Sequence, residues 1–105
     1  MIRHVVLIRF GSDTGEAENE AILQEVVAVA NSLNGVRAVV YGNNISPETG
    51  MDKGYSVGFL IDFADADARD AYLVHPWHQA VGAKIIAAAE GGAAGVLVFD
   101  LALPA

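Results

Sequence analysis

The side chains able to do chemistry fall in three places: His4 near the amino terminus, Tyr72, and the run His75-Pro76-Trp77-His78. His75 and His78 stand three apart, a spacing at which two imidazoles on one helical turn can share a metal ion. Pro76 works against that geometry, because the residue before a proline is held out of the α region and His75 is therefore extended. No HExxH pattern occurs, and no cysteine is available to complete a tetrahedral set. No metal and no other cofactor is expected. His75 is expected to brace the loop through hydrogen bonds, and Trp77 to anchor the helix start. Taken singly, His4 reads as a strand-end histidine bonded to backbone, and Tyr72 as a core ring with its hydroxyl satisfied at the surface. A functional reading of either needs a partner.

Other chemistries find little support. Ser12, Ser32, Ser46 and Ser56 lie in no nucleophile elbow. Gly91-Gly92 ends a helix, where the dipole repels anions, so it does not make a phosphate cradle. Asp65 and Asp67 read as helix caps rather than a paired acid and base.

The positioning framework must come from 105 residues, enough for one domain, read here as residues 1–105. Six basic against thirteen acidic side chains give a formal charge of -7, the wrong sign for nucleic acid or anionic lipid. The absence of cysteine suits a reducing compartment. Met1-Ile2-Arg3-His4 runs straight into strand-like sequence with no cleavage pattern, and no apolar run approaches the roughly 18 residues of a membrane span. A cytoplasmic, soluble protein is expected. Its apolar fraction of 53% and mean hydropathy of +0.38 are high for so small a chain, which points to apolar surface meant for a partner.

Ile2 to Phe10 alternates as a strand, with Ile2, His4, Val6, Ile8 and Phe10 on one face. Asp13 and Glu16 have the spacing of a capping pair, and Ile22, Val26, Val29 and Leu33 repeat as one helical face ended by Asn34-Gly35. Val36 to Tyr41 reads as a second strand, Tyr55 to Phe63 as a third, with a polar loop between them. A helix capped by Asp65 or Asp67 carries Tyr72 and stops before Pro76. That proline opens another helix, from Trp77 to about Glu90. Gly95 to Leu103 is the last strand.

The order β-α-β-β-α-β predicts an α+β, ferredoxin-like subunit: a four-stranded antiparallel sheet with its helices on one face. Strands one, three and four carry apolar residues on both faces, yet helices can cover only one. An open sheet should be polar on its free side, so the uncovered face is expected to pack against a second copy, giving a homodimer and a barrel-like pair of sheets around an apolar interior.

Four segments, His4-Val5-Val6-Leu7-Ile8-Arg9-Phe10, Gly54-Tyr55, Tyr72-Leu73-Val74-His75-Pro76-Trp77-His78 and Val98-Phe99-Asp100, together resemble the stress-responsive dimeric A/B barrel (Dabb) family over nearly the whole chain. The resemblance implies a dimeric α+β barrel whose sheets enclose a cavity. In a plant polyketide cyclase of that family a tyrosine and the last histidine of this segment act at the substrate, with the strand-one histidine nearby. Those positions match Tyr72, His78 and His4. That cyclase also presents a tyrosine from its first helix, where this chain offers Val26 and Val27, implying a pocket of different shape.

The resemblance thus implies His78, Tyr72 and His4 as the catalytic set, acting without cofactor. His78, with an ordinary pKa of about 6.5, could take a proton from the carbon next to a carbonyl. Tyr72 could donate to the enolate oxygen, and His4 could hold a second polar group. The function expected is a cyclase, lyase or isomerase of a small carbonyl compound. The alternatives are a non-catalytic, stress-responsive binder of a small apolar ligand, and a structural part of a larger assembly.

Overall fold

The computed structural model describes residues 1–104. Its elements are β1 (Ile2–Ile8), α1 (Glu16–Asn31), β2 (Val36–Asn43), β3 (Val57–Phe63), α2 (Ala66–Val74), α3 (Pro76–Ala88) and β4 (Val96–Ala102), with a short 3₁₀ turn at Gly92–Gly95. The strands form one antiparallel sheet in the order β2-β3-β1-β4, the ferredoxin-like arrangement. The helices cover one face of it.

Local chemistry sets the boundaries. α1 begins after Gly15 with no side-chain cap. The expected Asp13–Glu16 pair does not form because Asp13 lies two residues ahead of the capping position. Thr14 donates instead to Asn19 Oδ1 at 2.8 Å. Past α1, Gly35 turns the chain into β2 at a φ of +83°, and a Cβ there would sit 2.7 Å from Ala68 Cβ. Asp65 caps α2, accepting from the Ala68 amide at 2.9 Å. β3 starts at Val57 rather than Tyr55, because Tyr55 is held in a turn by its amide bond to Asp52 O.

The break between α2 and α3 falls at His75, whose ψ of 130° is extended, as the following proline requires. Its ring nitrogen Nδ1 accepts from the Trp77 amide at 3.1 Å, so His75 is itself the cap of α3. Trp77 anchors this start as expected, with its indole N–H on Glu25 of α1 at 3.0 Å. Glu25 also takes Lys84 at 2.8 Å, tying α1 to α3. The helix ends at Ala88, two residues short of the expected Glu90, because the Phe10 segment captures the chain: Glu90 N–H donates to Arg9 O, and Gly11 N–H to Ala88 O.

Strand register divides the side chains. Directly paired residues share a face, so His4, Val6 and Ile8 lie with Ile61, Phe59 and Val57 under the helices. Val6, Ile8, Phe59, Ile61 and Phe63 bury there against Leu23, Val26 and Val29 of α1, Tyr72 of α2, and Val81 and Ile85 of α3. Each such side chain contributes about 1.5–3 kcal/mol.

Val5, Leu7, Leu60, Leu97 and Leu101 line the opposite face. Phe99 and Val40 belong to it too, and are 57% and 54% exposed. Arg3 and Asp62 pair within this face, with Nε and Nη2 of the guanidinium donating to Oδ1 and Oδ2 at 2.8 and 2.9 Å. The hydrogen bonds from Arg3, against the opposing cost of burial, hold the Asp62 carboxyl below the usual range.

Candidate functional site

His4, Tyr72 and His78 come together, and they do so on the helix-covered face of the sheet. The uncovered face of the sheet, which the sequence assigns to packing against a second copy, carries none of them. The reason is the pleat: His4 alternates with Arg3 and Val5, and only the even-numbered residues of β1 face the helices.

The three rings form a row. His4, on β1, is only 4% exposed, and its ring centroid lies 5.9 Å from that of Tyr72 in an edge-on arrangement. Tyr72, in the last turn of α2 and 2% exposed, lies 4.2 Å from His78 in the first turn of α3. Phe63 backs the row, 6.2 Å from His4 and 5.3 Å from Tyr72. The half-buried His78 is neither walled off by Trp77, which is turned to Glu25, nor directed wholly to solvent.

The hydrogen bonds define what each group offers. The His78 Nδ1–H donates to Leu73 O at 3.1 Å; a carbonyl can only accept, so Nε2 of the neutral ring carries the lone pair. Burial pushes the His78 pKa down; the Leu73 bond opposes this, while His4 and His75 add to the fall. His78 is thus neutral near pH 7 with a free basic nitrogen. Burial pushes the Tyr72 phenol up to about 12, so it stays a donor.

Two residues absent from the sequence-based set complete the site. Asp100, paired directly with His4 across β1 and β4, accepts from His4 Nδ1 at 2.7 Å. Its other oxygen accepts from Arg69 Nη1 at 2.9 Å, and Arg69 Nε donates to Asp70 at 2.8 Å. Burial works to raise the Asp100 pKa, but the bonds from His4 and Arg69 win and hold it below the usual carboxylate range. Arg69 and Tyr72 are three apart on α2 and so share its inward face. The spacing of Arg69 before Tyr72 was visible in the sequence; the pairing of Asp100 with His4, ninety-six residues away, was not.

Among the described residues, Arg9 Nε is the one buried side-chain nitrogen or oxygen left without a partner. His4 Nε2, the Tyr72 hydroxyl and His78 Nε2 make no hydrogen bond within the protein, and none of them is among its fully sealed, unpartnered atoms. Open polar atoms on three adjacent rings can receive the oxygen atoms of a small ligand. A separate hollow of about 770 Å³ opens on the other sheet face, lined by Val5, Leu7, Val40, Leu60 and Leu97 and closed at one end by the loop after Asn43. No group of three or more His, Cys, Asp or Glu suited to a metal ion occurs among the described residues. No helix among them is long and apolar enough to cross a membrane.

The sheet order, the helix break and this row of rings define a recognisable class. The family model described as the stress responsive A/B barrel domain, Dabb, matches residues 2–102, and the chain belongs to that family. Olivetolic acid cyclase of Cannabis sativa is 21% identical over 81 residues, covering 77% of this chain and 79% of the cyclase. A dimeric ferredoxin-like protein of unknown function from Jannaschia sp. CCS1 superposes with a TM-score of 0.82 at 33% identity, over 97% of this chain and 98% of its own. The hydroxynitrile lyase of Passiflora edulis superposes with a TM-score of 0.85 at 14% identity, over 98% of this chain and 93% of its own, a likeness of fold.

Proposed function

We propose that the protein is a homodimer whose helix-side site binds a small carbonyl compound of polyketide-like character and acts on it without a cofactor, as a cyclase, lyase or isomerase. The observation that carries this reading is the row His4, Tyr72, His78 with an unpartnered polar atom on each ring. His78 Nε2 takes a proton from the carbon beside the carbonyl. The Tyr72 hydroxyl donates to the enolate oxygen that forms, and His4 Nε2 bonds a second oxygen or hydroxyl of the same molecule. The enolate then attacks an internal carbonyl or is reprotonated elsewhere. The cyclase and lyase among the similar proteins support this class of chemistry.

The dimer reading rests on the apolar open face and on the dimeric description of the Jannaschia protein. A second function, non-catalytic binding of a small apolar ligand, is favoured by the hollow on that open face, which none of the three site residues lines.

The test is exchange of α-hydrogens for deuterium in a panel of alkyl and aryl methyl ketones, followed by NMR in heavy water. Saturable exchange that falls about 10²- to 10⁴-fold in His78→Ala supports the enzyme. A wild-type protein that binds the ketones yet adds nothing to the buffer rate overturns it in favour of the binder.

A further inference from the structure

We propose that Asp100 is a positioning residue for His4: it fixes the imidazole proton on Nδ1, leaving Nε2 as the acceptor offered to the ligand, while Arg69 holds Asp100 in place. This rests on the acid–base reading above and names the hydrogen-bond sense in which His4 takes part. His4 is then an acceptor for a ligand hydroxyl or enol and not a donor to a carbonyl.

The geometry supports it from three elements. β1 and β4 set His4 directly opposite Asp100, so strand register, and not a flexible loop, brings the two to 2.7 Å. α2 supplies Arg69, whose Nη1 meets the remaining carboxylate oxygen at 2.9 Å. An ionised carboxylate only accepts, so the shared proton belongs to His4 Nδ1. The carboxylate carries a full negative charge there because Arg69 compensates it and the side chain is 28% exposed. His4 Nε2 keeps no protein partner and is not sealed. The ionisable groups facing the ring are Asp100 from β4, Tyr72 from α2 and His78 from α3. His78 already presents a lone pair, so the site offers two acceptors and one phenolic donor. That set suits a neutral ligand with one carbonyl and one hydroxyl or enol; no lysine or arginine is left free at the row to bind a carboxylate, since Arg69 is committed to Asp70 and Asp100.

The experiment is long-range ¹H–¹⁵N correlation of the histidine rings, with ketone exchange kinetics, in wild type, Asp100→Asn, Asp100→Ala and Arg69→Gln. Expected is the Nδ1–H form of His4 in wild type. In Asp100→Ala it should give way to a mixed or Nε2–H population, and the saturating exchange rate should fall at least about tenfold with little change in KM. Asp100→Asn, whose amide can both accept and donate, should show a mixture; Arg69→Gln should keep the Nδ1–H form with a weaker effect. His4 remaining wholly Nδ1–H in both Asp100 variants overturns the proposal. The tautomer readout decides this even if no ketone exchanges, an outcome that would sink the enzyme reading alone. Should the alanine variant fail to fold, the asparagine variant decides it.

Discussion

The Tyr72 and His78 rings lie 4.2 Å apart, tilted by 47°, although they belong to different helices. Their contact joins the last turn of α2 to the first turn of α3 and sets a phenolic donor beside a neutral imidazole. The consequences for stability and for chemistry separate cleanly.

Tyr72→Phe keeps the buried ring and removes a hydroxyl that has no protein partner. Stability should stay within about 0.5 kcal/mol, whereas the ketone exchange rate should drop about 10²- to 10³-fold through loss of the enolate donor. Tyr72→Ala empties the core and should cost about 3–5 kcal/mol. Urea unfolding paired with exchange kinetics measures both, and a phenylalanine variant of full activity contradicts the role of the hydroxyl.

His78 is held neutral by burial, below the ordinary imidazole value, so the unfolded chain binds that proton more readily than the folded one. The stability tied to the neutral ring is complete above about pH 6.5 and is lost as pH falls through the lower folded-state value. Urea midpoints at pH 7.5 and pH 5 should therefore drop more in wild type than in His78→Asn. Equal drops would mean that His78 carries none of the acid sensitivity.

Val40 and Phe99 stand exposed on the free face of the sheet, so charge there costs the single chain little and a packed pair of sheets much. Val40→Glu with Phe99→Glu should change the light-scattering mass from dimer to monomer while circular dichroism stays native. Retention of the dimer would place the interface elsewhere.

Gly35 combines a φ of +83° with only 2.7 Å between a would-be Cβ and Ala68 Cβ. Gly35→Ala should cost about 1–3 kcal/mol, lowering the melting temperature by about 4–8 °C for each kcal/mol. A melting temperature equal to wild type would show that the α1–β2 turn relaxes freely.

Much of this was legible in the chain itself, for reasons of range. The alternation of β1, the apolar face of α1 and the extended His75 before Pro76 are local, and the structure has them where periodicity and proline sterics put them. Tyr72, His75 and His78 lie within seven positions of one another, so a motif could carry them. Asp100 stood in one of the segments that carry the resemblance, but no motif could pair it with His4, since that pairing arises only when β4 takes its register beside β1. The face on which the site lies was hidden for a related reason: His4 and Val5 are both compatible with burial, and only the position of the helices decides which of them they cover. The start of α1 differed because Gly15, not Asp13, takes the capping position.

The extended backbone of His75, at ψ 130°, has one more effect. On an unbroken α-helix, residues six apart point about 120° away from each other, so Tyr72 and His78 would look in different directions. One non-helical residue resets the angular phase and turns both rings inward. The meeting of the two rings is therefore decoupled from the sheet beneath it: a chain that straightened this joint could keep every strand and still part Tyr72 from His78.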